Sequence, residues 1–218
     1  MKLKIINNKS ISAIIITKDR PKYFLKAIKS VLNQSNKVNE IIVIDNGKKK
    51  PKFDFKKINY VKTSYGIGSS RARNIGIKKS KCNYCAFLDD DDTWDKDYIK
   101  NSRKYLNDSL ILIGKIYSME SKKIIKNKSN QIKSGQSFET FFVKNPGIIG
   151  SNLIISKKIL KHVGGFDKYL PLGQDKAIVI ESKFRGYNIL RTNSKIYFNE
   201  NTLGQRNTDL IKYIIGKI

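Results

Sequence analysis

The sequence predicts an α/β fold with a mostly parallel central sheet flanked by helices. Three observations lead to this prediction: short apolar runs, of which the first is rich in β-branched residues, an amphipathic segment between the first two runs, and glycine or proline where the pattern changes. Runs of this kind are typical of strands that are buried on both faces. They lie at residues 11–16, 41–44, 58–61 and 84–88.

Two helices are predicted between these strands. Pro21 suits the first turn of a helix, and apolar pairs then recur every four residues, so we expect an amphipathic helix that ends near Asn33. The second helix follows a glycine-containing loop at 65–68 and has Arg71 and Arg73 near its start. A helix N-terminus with two arginines suits a phosphate or the edge of a nucleobase.

The second half of the chain mixes shorter elements. No linker, repeat or low-complexity segment separates it from the first half, so we expect one domain over residues 1–218. The last segment, 208–218, would form a helix with one apolar face, which either packs on the domain or lies on an anionic membrane. The other predicted elements are strands at 110–116 and 151–155 and helices at 136–143, 156–163 and 175–185.

The chain is strongly basic, with a formal net charge of +26 from 44 basic and 18 acidic residues. Such a charge attracts polyanions: nucleic acid, anionic lipid or nucleotide phosphates. Only seven of the basic residues are Arg, the residue that base-edge recognition favours, so we expect no specific nucleic-acid partner. A composition bias of the source genome would give the same lysine-rich picture.

The sequence shows no targeting or membrane-spanning pattern. Its apolar runs are shorter than the roughly 18 to 20 residues that cross a bilayer, and the apolar start at Met1 turns polar at Asn7. We therefore expect a cytoplasmic protein, and peripheral contact with the inner face of an anionic membrane is a further hypothesis.

The two cysteines, Cys82 and Cys85, have the spacing C-x-x-C, which is found in redox pairs and in halves of zinc sites. A four-ligand zinc site is disfavoured, because there is no second pair and the single histidine, His162, is distant in sequence. Because Cys85 begins an apolar stretch, packing in the core is the favoured interpretation and a redox pair the alternative.

The acidic residues are concentrated in one place. Six of the 18 lie between Asp89 and Asp97, and those at 89–92 are consecutive. Adjacent carboxylates repel one another unless solvent or a cation relieves the repulsion, and hard divalent cations prefer oxygen ligands. The acids follow a buried strand, and ligands of open α/β sheets bind at the carboxyl ends of strands. A metal site is therefore the main hypothesis, and a solvated acidic loop is the alternative.

Six motifs in this order resemble the GT-A fold glycosyltransferases of family 2, from Ile11 to about Phe198. The segment from Phe87 to Trp94, F-L-D-D-D-D-T-W, is similar to the family's F-L-D-x-D-D-x-W, which contains a D-x-D motif. The other five motifs are I-I-I-T-K-D-R-P at 14–21, S-V-L-N-Q-S at 30–35, I-V-I-D-N-G at 42–47, R-A-R-N-I-G-I at 71–77, and G-G-F-D at 164–167 with Q-D at 174–175.

The resemblance implies an inverting transferase with a Rossmann-like nucleotide-sugar half at about 10–95 and an acceptor half at about 96–200. It implies a nucleotide-sugar donor, usually a UDP-sugar, with Mn²⁺ or Mg²⁺ as cofactor. The acceptor would be a hydroxyl of a surface polysaccharide, a lipid-linked glycan or a protein. The cation would stabilise the leaving diphosphate, and a general base would activate the acceptor. A homodimer is expected only because such dimers are common.

The resemblance also assigns roles to individual residues. Asp91 would coordinate the metal, with Asp92 in reserve because four consecutive acids allow a shift of one residue. Asp175 would be the catalytic base, although Gln174 stands where the family has Glu. The nucleotide-binding residues would be Thr17, Asp19, Asp45, Gly68, Arg71, Arg73, Asp89 and Asp90.

Two other functions stay open: a degenerate transferase domain that binds without turnover, and a basic protein that binds polyanions or membranes. The acid cluster, which would repel phosphate without a metal, argues against the second. A sugar nucleotidyltransferase would need a glycine-rich loop after the first strand, where this chain has T-K-D-R-P at 17–21.

Overall fold

The computed structural model describes residues 9–120, 123–126 and 147–199 of the 218-residue chain. The helices predicted at 136–143 and 208–218 lie outside the described residues. None of the helices inside these ranges combines the length and the apolar character that crossing a membrane requires.

The described ranges contain nine strands and five α-helices. The strands are β1 (Ile11–Thr17), β2 (Glu40–Asp45), β3 (Asn59–Lys62), β4 (Tyr84–Asp89), β5 (Thr93–Trp94), β6 (Leu110–Glu120), β7 (Lys123–Lys126), β8 (Leu153–Ser156) and β9 (Asn188–Asn199). The helices are α1 (Pro21–Leu32), α2 (Ser69–Lys79), α3 (Tyr98–Arg103), α4 (Lys157–His162) and α5 (Gln174–Phe184). A 3₁₀ turn spans Gly150–Asn152, just before β8.

One sheet joins all nine strands in the order β3-β2-β1-β4-β8-β6-β9-β5, with β7 paired to β6. The strands β3, β2, β1 and β4 are parallel neighbours, which confirms the predicted α/β architecture. Beyond β4 the pairing is mixed: β8 is antiparallel to both of its neighbours, and β9 is parallel to β6.

Two apolar clusters cover the two faces of the sheet. Successive residues of β1 enter different clusters, Ile15 on one face and Ile14 and Ile16 on the other, as expected of a strand buried on both sides. Helix α1 packs Phe24 and its other apolar residues into the first cluster. Helix α2 packs so closely on the second that a Cβ at Gly76 would lie 2.4 Å from Cγ2 of Ile14.

The register of the parallel strands brings polar residues to one edge of the sheet. Thr17 at the end of β1 is opposite Asp45 at the end of β2, and Ile16 is opposite Asp89 at the end of β4. The carboxyl ends of neighbouring parallel strands form the crevice in which open α/β sheets bind ligands. The fold therefore gathers three of the predicted site residues before any side-chain contact is considered.

The sequence was less informative in the second half. The strand predicted at 151–155 begins only at Leu153, because residues 150–152 form the 3₁₀ turn, where the Asn152 amide donates to the carbonyl oxygens of Gly114 and Gly147 at 2.8 and 2.9 Å. Strand β9 was not predicted at all. Its buried positions include polar residues such as Ser194, whose hydroxyl shares a 2.6 Å hydrogen bond with Ser102, so it lacks an apolar alternation.

Both cysteines are free and buried, which confirms that Cys85 packs in the core. Burial raises the pKa of the Cys85 thiol to about 12, although a hydrogen bond with Ser80 and the charge of Lys157 oppose the rise. A thiol that stays protonated is a poor nucleophile, so this environment is unlike that of a reactive redox cysteine.

Candidate active site

A cleft of about 640 Å³ opens at the carboxyl ends of the parallel strands. It is lined by the end of β1 with the following loop, by the residue after β2, by the glycine loop that opens α2, by acids at and after the end of β4, and by the start of α5. Gly68 immediately precedes α2, with a positive φ of 87° that favours glycine. The glycine loop therefore presents the N-terminus of α2 beside the acids, where a phosphate group would find free backbone N–H donors.

The acids after β4 are held by protein partners rather than solvated. Asp90 accepts hydrogen bonds from the Thr17 hydroxyl at 2.8 Å and from the Lys18 backbone N–H at 3.2 Å. Asp92 accepts a short hydrogen bond from the hydroxyl of Ser151. Asp90, Asp91 and Asp92 are all buried, which contradicts the alternative of a solvated acidic loop.

Arg20 lies across two of these acids. Its Nη2 is 2.6 Å from Oδ1 of Asp90, and its Nη1 is 2.7 Å from Oδ2 of Asp91. Burial alone would lower the pKa of Arg20, but the two carboxylates outweigh this effect and raise it. Burial raises the pKa of Asp90 to about 7, with Arg20 opposing the rise and Asp91 adding to it.

Arg73 joins Asp89, the last residue of β4, to helix α5. Its Nη2 lies 2.7 Å from Oδ1 of Asp89, and its Nη1 lies 3.0 Å from Oδ1 of Asp175. The guanidinium is buried against the ring of Phe166, 5.2 Å from its centroid. Burial opposes the charge of Arg73, but Asp175 and Asp89 raise its pKa above the ordinary value. Sequence reasoning placed Arg73 against a nucleobase or a phosphate, whereas here it ties two carboxylates together.

The fit of Arg73 depends on Gly150 in the 3₁₀ turn. A Cβ at that position would lie 2.3 Å from Nη2 of Arg73, well inside van der Waals contact. The absence of a side chain at Gly150 is therefore what lets the guanidinium reach Asp89.

Asp175 belongs to the first turn of α5 and does not cap it. The residue before the helix is Gly173, whose φ of 75° is left-handed. The neighbouring Gln174 also lines the cleft, and its amide donates to the carbonyl oxygens of Leu170 and Pro171, each at 3.0 Å. Asp175 thus faces the cleft together with Asp89 and Asp91.

The other predicted nucleotide-binding residues divide into two groups. Thr17 and Gly68 line the cleft together with Arg73 and Asp89. Four residues, Asp19, Asp45, Arg71 and Asp90, are not among the residues that line it.

Three of the residues outside the lining have a local setting that the structure defines. Asp45 is buried and accepts hydrogen bonds from the Tyr60 hydroxyl at 2.6 Å, the Lys62 ammonium at 3.0 Å and the Gly47 N–H at 2.8 Å. Asp19 has a left-handed φ of 55° and accepts a hydrogen bond from the Lys48 N–H at 2.6 Å. Arg71 is exposed on α2.

Two polar residues of the cleft, Asn46 and Arg20, have surroundings that suggest a role and were not predicted as site residues. Asn46 is only 5% exposed and lines the cleft, and its Oδ1 has no hydrogen-bond partner among the described residues. Its position directly after a strand was the signal, but the D-N-G sequence at 45–47 was interpreted as a turn. Arg20 was missed because the acids that it pairs with lie 70 or more positions away in sequence.

A divalent cation fits this cleft if the phosphates of a bound substrate supply some of its coordinating oxygens. Among the described residues no group of three His, Cys, Asp or Glu side chains could hold a metal by itself. Mg²⁺ is commonly held by one or two carboxylates together with substrate phosphates. Asp91 and Asp89, which both line the cleft, provide such a partial set.

The sequence model of Glycosyl transferase family 2 matches residues 12–164, which include β1, the glycine loop and the acids after β4. The chain belongs to this family. Residues 12–164 also span Arg20, Arg73 and Gly150, so the ion pairs after β4 lie within the family 2 region. Asp175 lies just beyond it.

Two relatives of the family 2 chain cover part of its length. An uncharacterized glycosyltransferase of Rickettsia conorii is 34% identical over 144 residues, which are 63% of this chain and 23% of that protein. The Escherichia coli UDP-Glc:alpha-D-GlcNAc-diphosphoundecaprenol beta-1,3-glucosyltransferase WfaP is 31% identical over 109 residues, 47% of this chain and 38% of that protein. The matched part of this chain thus spans less than two fifths of the length of either relative.

The structural likeness extends further along the chain. The crystal structure of GalNAc-T7 with UDP, GalNAc and Mn²⁺ superposes with a TM-score of 0.71 at 14% identity, over 89% of this chain and 44% of that one. The described residues therefore form a glycosyltransferase domain with the GT-A fold, as predicted.

Proposed function

We propose that this family 2 domain transfers a sugar from a UDP-sugar to an acceptor hydroxyl, with inversion at the anomeric carbon. The observation that carries the proposal is that Asp91, from the turn after β4, and Asp175, from the start of α5, line the same cleft. The relative WfaP is named for a UDP-Glc donor, and GalNAc-T7 was solved with UDP. Both names support UDP as the nucleotide.

The donor would occupy the cleft with its diphosphate near the N-terminus of α2. The N–H groups at the start of α2 and the positive end of the helix dipole favour an anion there. Thr17, Gly68 and Asn46 line the same space and would surround the nucleoside. The roles predicted for Asp19, Asp45, Arg71 and Asp90 in nucleotide binding stay predictions.

Asp91 would hold the divalent cation, Mn²⁺ or Mg²⁺, with Asp89 as its neighbour in the cleft. When bound, the cation supplies Lewis-acid stabilisation of the charge that develops on the leaving diphosphate. GalNAc-T7 was solved with Mn²⁺, which supports this part of the proposal. Arg73 would hold the side chain of Asp89 toward the site through their ion pair.

Asp175 would act as the general base. Its carboxylate would accept the proton of the acceptor hydroxyl while that oxygen bonds to the anomeric carbon on the face opposite the diphosphate, and the bond from that carbon to the diphosphate breaks. The ion pair with Arg73 would orient Asp175 for this step. A base and a leaving group on opposite faces give inversion.

The acceptor is proposed to be a glycan hydroxyl, with a lipid-linked glycan favoured because WfaP is named for a diphosphoundecaprenol-linked acceptor. A lipid-linked acceptor would bring the net charge of +26 close to an anionic membrane, so peripheral association is part of the proposal. A homodimer stays a prediction.

The test is release of UDP from a panel of UDP-sugars, with a synthetic lipid-linked glycan as acceptor, compared in Mn²⁺ and in EDTA. Asp175→Asn keeps the side-chain shape but removes the proton acceptor, so we expect turnover to fall by roughly 10²- to 10⁴-fold while UDP still binds. Asp167→Asn is the matched control, because Asp167 is an exposed carboxylate outside the cleft lining.

A stable Asp175→Asn variant that retains full turnover would refute the role of Asp175. The stereochemistry is tested separately by NMR of the product. An α-linked product from an α-linked donor would contradict inversion.

A further inference from the structure

Arg20 occupies carboxylate oxygens that the proposed metal site would need. Both ends of its guanidinium are engaged, Nη2 with Asp90 at 2.6 Å and Nη1 with Asp91 at 2.7 Å. The side chains of Asp90 and Asp91 are only 1% and 2% exposed, whereas that of Arg20 is 28% exposed and lines the cleft. The more exposed guanidinium of Arg20 can therefore change its position more easily than the two buried carboxylates.

A metal ion that binds alone would compete with this guanidinium. The charge-assisted contact between Arg20 and Asp91 would have to weaken, while Arg20 could keep its contact with Asp90. Breaking a charge-assisted contact of this kind weakens the competing binding equilibrium by about tenfold or more. A bare divalent cation therefore meets an internal competitor.

A diphosphate changes this balance because it offers Arg20 a new partner. A planar guanidinium pairs with phosphate oxygens as well as with carboxylates, and a diphosphate in the cleft would lie within its reach. We propose that Arg20 is a built-in counter-cation of Asp90 and Asp91 that makes metal binding conditional on the nucleotide diphosphate. This inference rests on the proposed function.

The arrangement predicts positive coupling between metal and nucleotide. If the diphosphate draws Arg20 away from Asp91, UDP strengthens Mn²⁺ binding, and by linkage Mn²⁺ strengthens UDP binding by the same factor. Removing the guanidinium should reduce this factor, because Mn²⁺ would then no longer need the diphosphate to displace a competitor.

The test measures the affinity for Mn²⁺ itself, from the electron paramagnetic resonance signal of the free ion, with and without UDP. We expect wild-type protein to bind Mn²⁺ weakly without UDP, and Arg20→Gln to bind it at least about tenfold more tightly under the same condition. Arg20→Lys should lie between the two, because an ammonium is a point charge that cannot bridge two acids as a fork does. Arg185→Gln is the matched control, since Arg185 pairs with Glu181 on the exposed face of α5 and the variant loses the same charge.

The outcomes separate this inference from the proposed function. Wild-type protein that needs UDP to bind Mn²⁺, together with an Arg20→Gln variant that does not, supports the inference. If both need UDP equally, the inference is wrong and the metal site stands. If wild-type protein binds no Mn²⁺ even with UDP, the proposed metal site and this inference both fail. Thermal melting in EDTA checks that each variant is folded. If Arg20→Gln does not fold, Arg20→Lys takes its place in the comparison with wild-type protein.

Discussion

Nη1 of Arg73 lies 3.0 Å from Oδ1 of Asp175, while Nη2 of the same guanidinium lies 2.7 Å from Asp89. The proposed base on α5 and Asp89 at the end of β4 are therefore joined through one buried guanidinium. Because α2, β4 and α5 each contribute one member, the position of the base depends on the packing of all three elements.

Replacing Arg73 by Lys should separate these acids without removing the charge. A single ammonium cannot reach both carboxylates as the guanidinium does, so Asp175 would lose its fixed orientation. We expect kcat to fall about 100-fold and KM for the donor to change much less, since small misplacements of a catalytic group have effects of this size. Steady-state kinetics of Arg73→Lys check this, and an unchanged kcat would show that the bridge does not position the base.

Gly150→Ala should also disturb the Arg73 ion pairs, and it should lower stability more than Arg73→Lys does. The added Cβ would lie 2.3 Å from Nη2 of Arg73 and would displace the guanidinium, so we expect a loss of about 1–3 kcal/mol in the free energy of unfolding. Urea denaturation measures this loss. The control is the double variant with Arg73→Lys: if the overlap with the guanidinium is the cause, the two losses will be clearly less than additive.

Asn46 and Asp45 are adjacent, yet mutation of Asn46 should affect UDP binding and mutation of Asp45 should affect stability. Asn46→Ala should weaken UDP binding by roughly fivefold to tenfold and leave stability nearly unchanged, because Oδ1 of Asn46 has no protein partner among the described residues. Asp45→Asn should instead lower stability by about 1–2 kcal/mol, since it weakens contacts with Tyr60 and Lys62. Calorimetry and urea denaturation of both variants give the comparison. Unimpaired UDP binding by a folded Asn46→Ala protein would remove Asn46 from the site.

The thiol of Cys85 should be inert in the folded protein. Burial raises its pKa to about 12, so the thiolate fraction at pH 8 is small, and the rate of alkylation should keep rising well above pH 9. Iodoacetamide labelling followed by mass spectrometry should modify Cys85 quickly only after denaturation.

The same shift affects stability in a defined direction. An unfolded cysteine ionises near pH 8.5, so the contribution of Cys85 to stability is fully present below that pH and is lost as the pH rises toward 12. Rapid labelling of native protein at pH 8 would contradict the buried setting and revive the redox interpretation.

The first half of the fold was predictable because its signals are local. The apolar runs of β1, β2 and β4 and the helix start at Pro21 are visible in short stretches of neighbouring residues, and each was located to within about two positions. Strand β9 was not predictable in this way. It is stabilised by pairing with β6 over much of its length and by buried polar contacts such as that of Ser194, which no local pattern reveals.

The candidate site shows the same division. The acidic residues of the site could be predicted, since Asp89, Asp91 and Asp175 were singled out from the sequence and line one cleft. The ion pairs of these acids could not be predicted, because Arg20 and Arg73 contact acids that lie 16 to 102 positions away in sequence. A lysine-rich chain offers many candidate cations, and only the fold selects these two.

The most direct test of the central claim, that the cleft is a UDP–metal site, is calorimetric titration of UDP in Mn²⁺ and in EDTA, with Asp91→Ala as comparison. We expect UDP to bind wild-type protein in Mn²⁺, to bind much more weakly in EDTA, and to lose its metal dependence in folded Asp91→Ala. UDP binding that is equal in Mn²⁺ and EDTA, or unchanged in Asp91→Ala, would contradict the assignment of Asp91 as the metal ligand. No UDP binding in either condition would contradict the site itself.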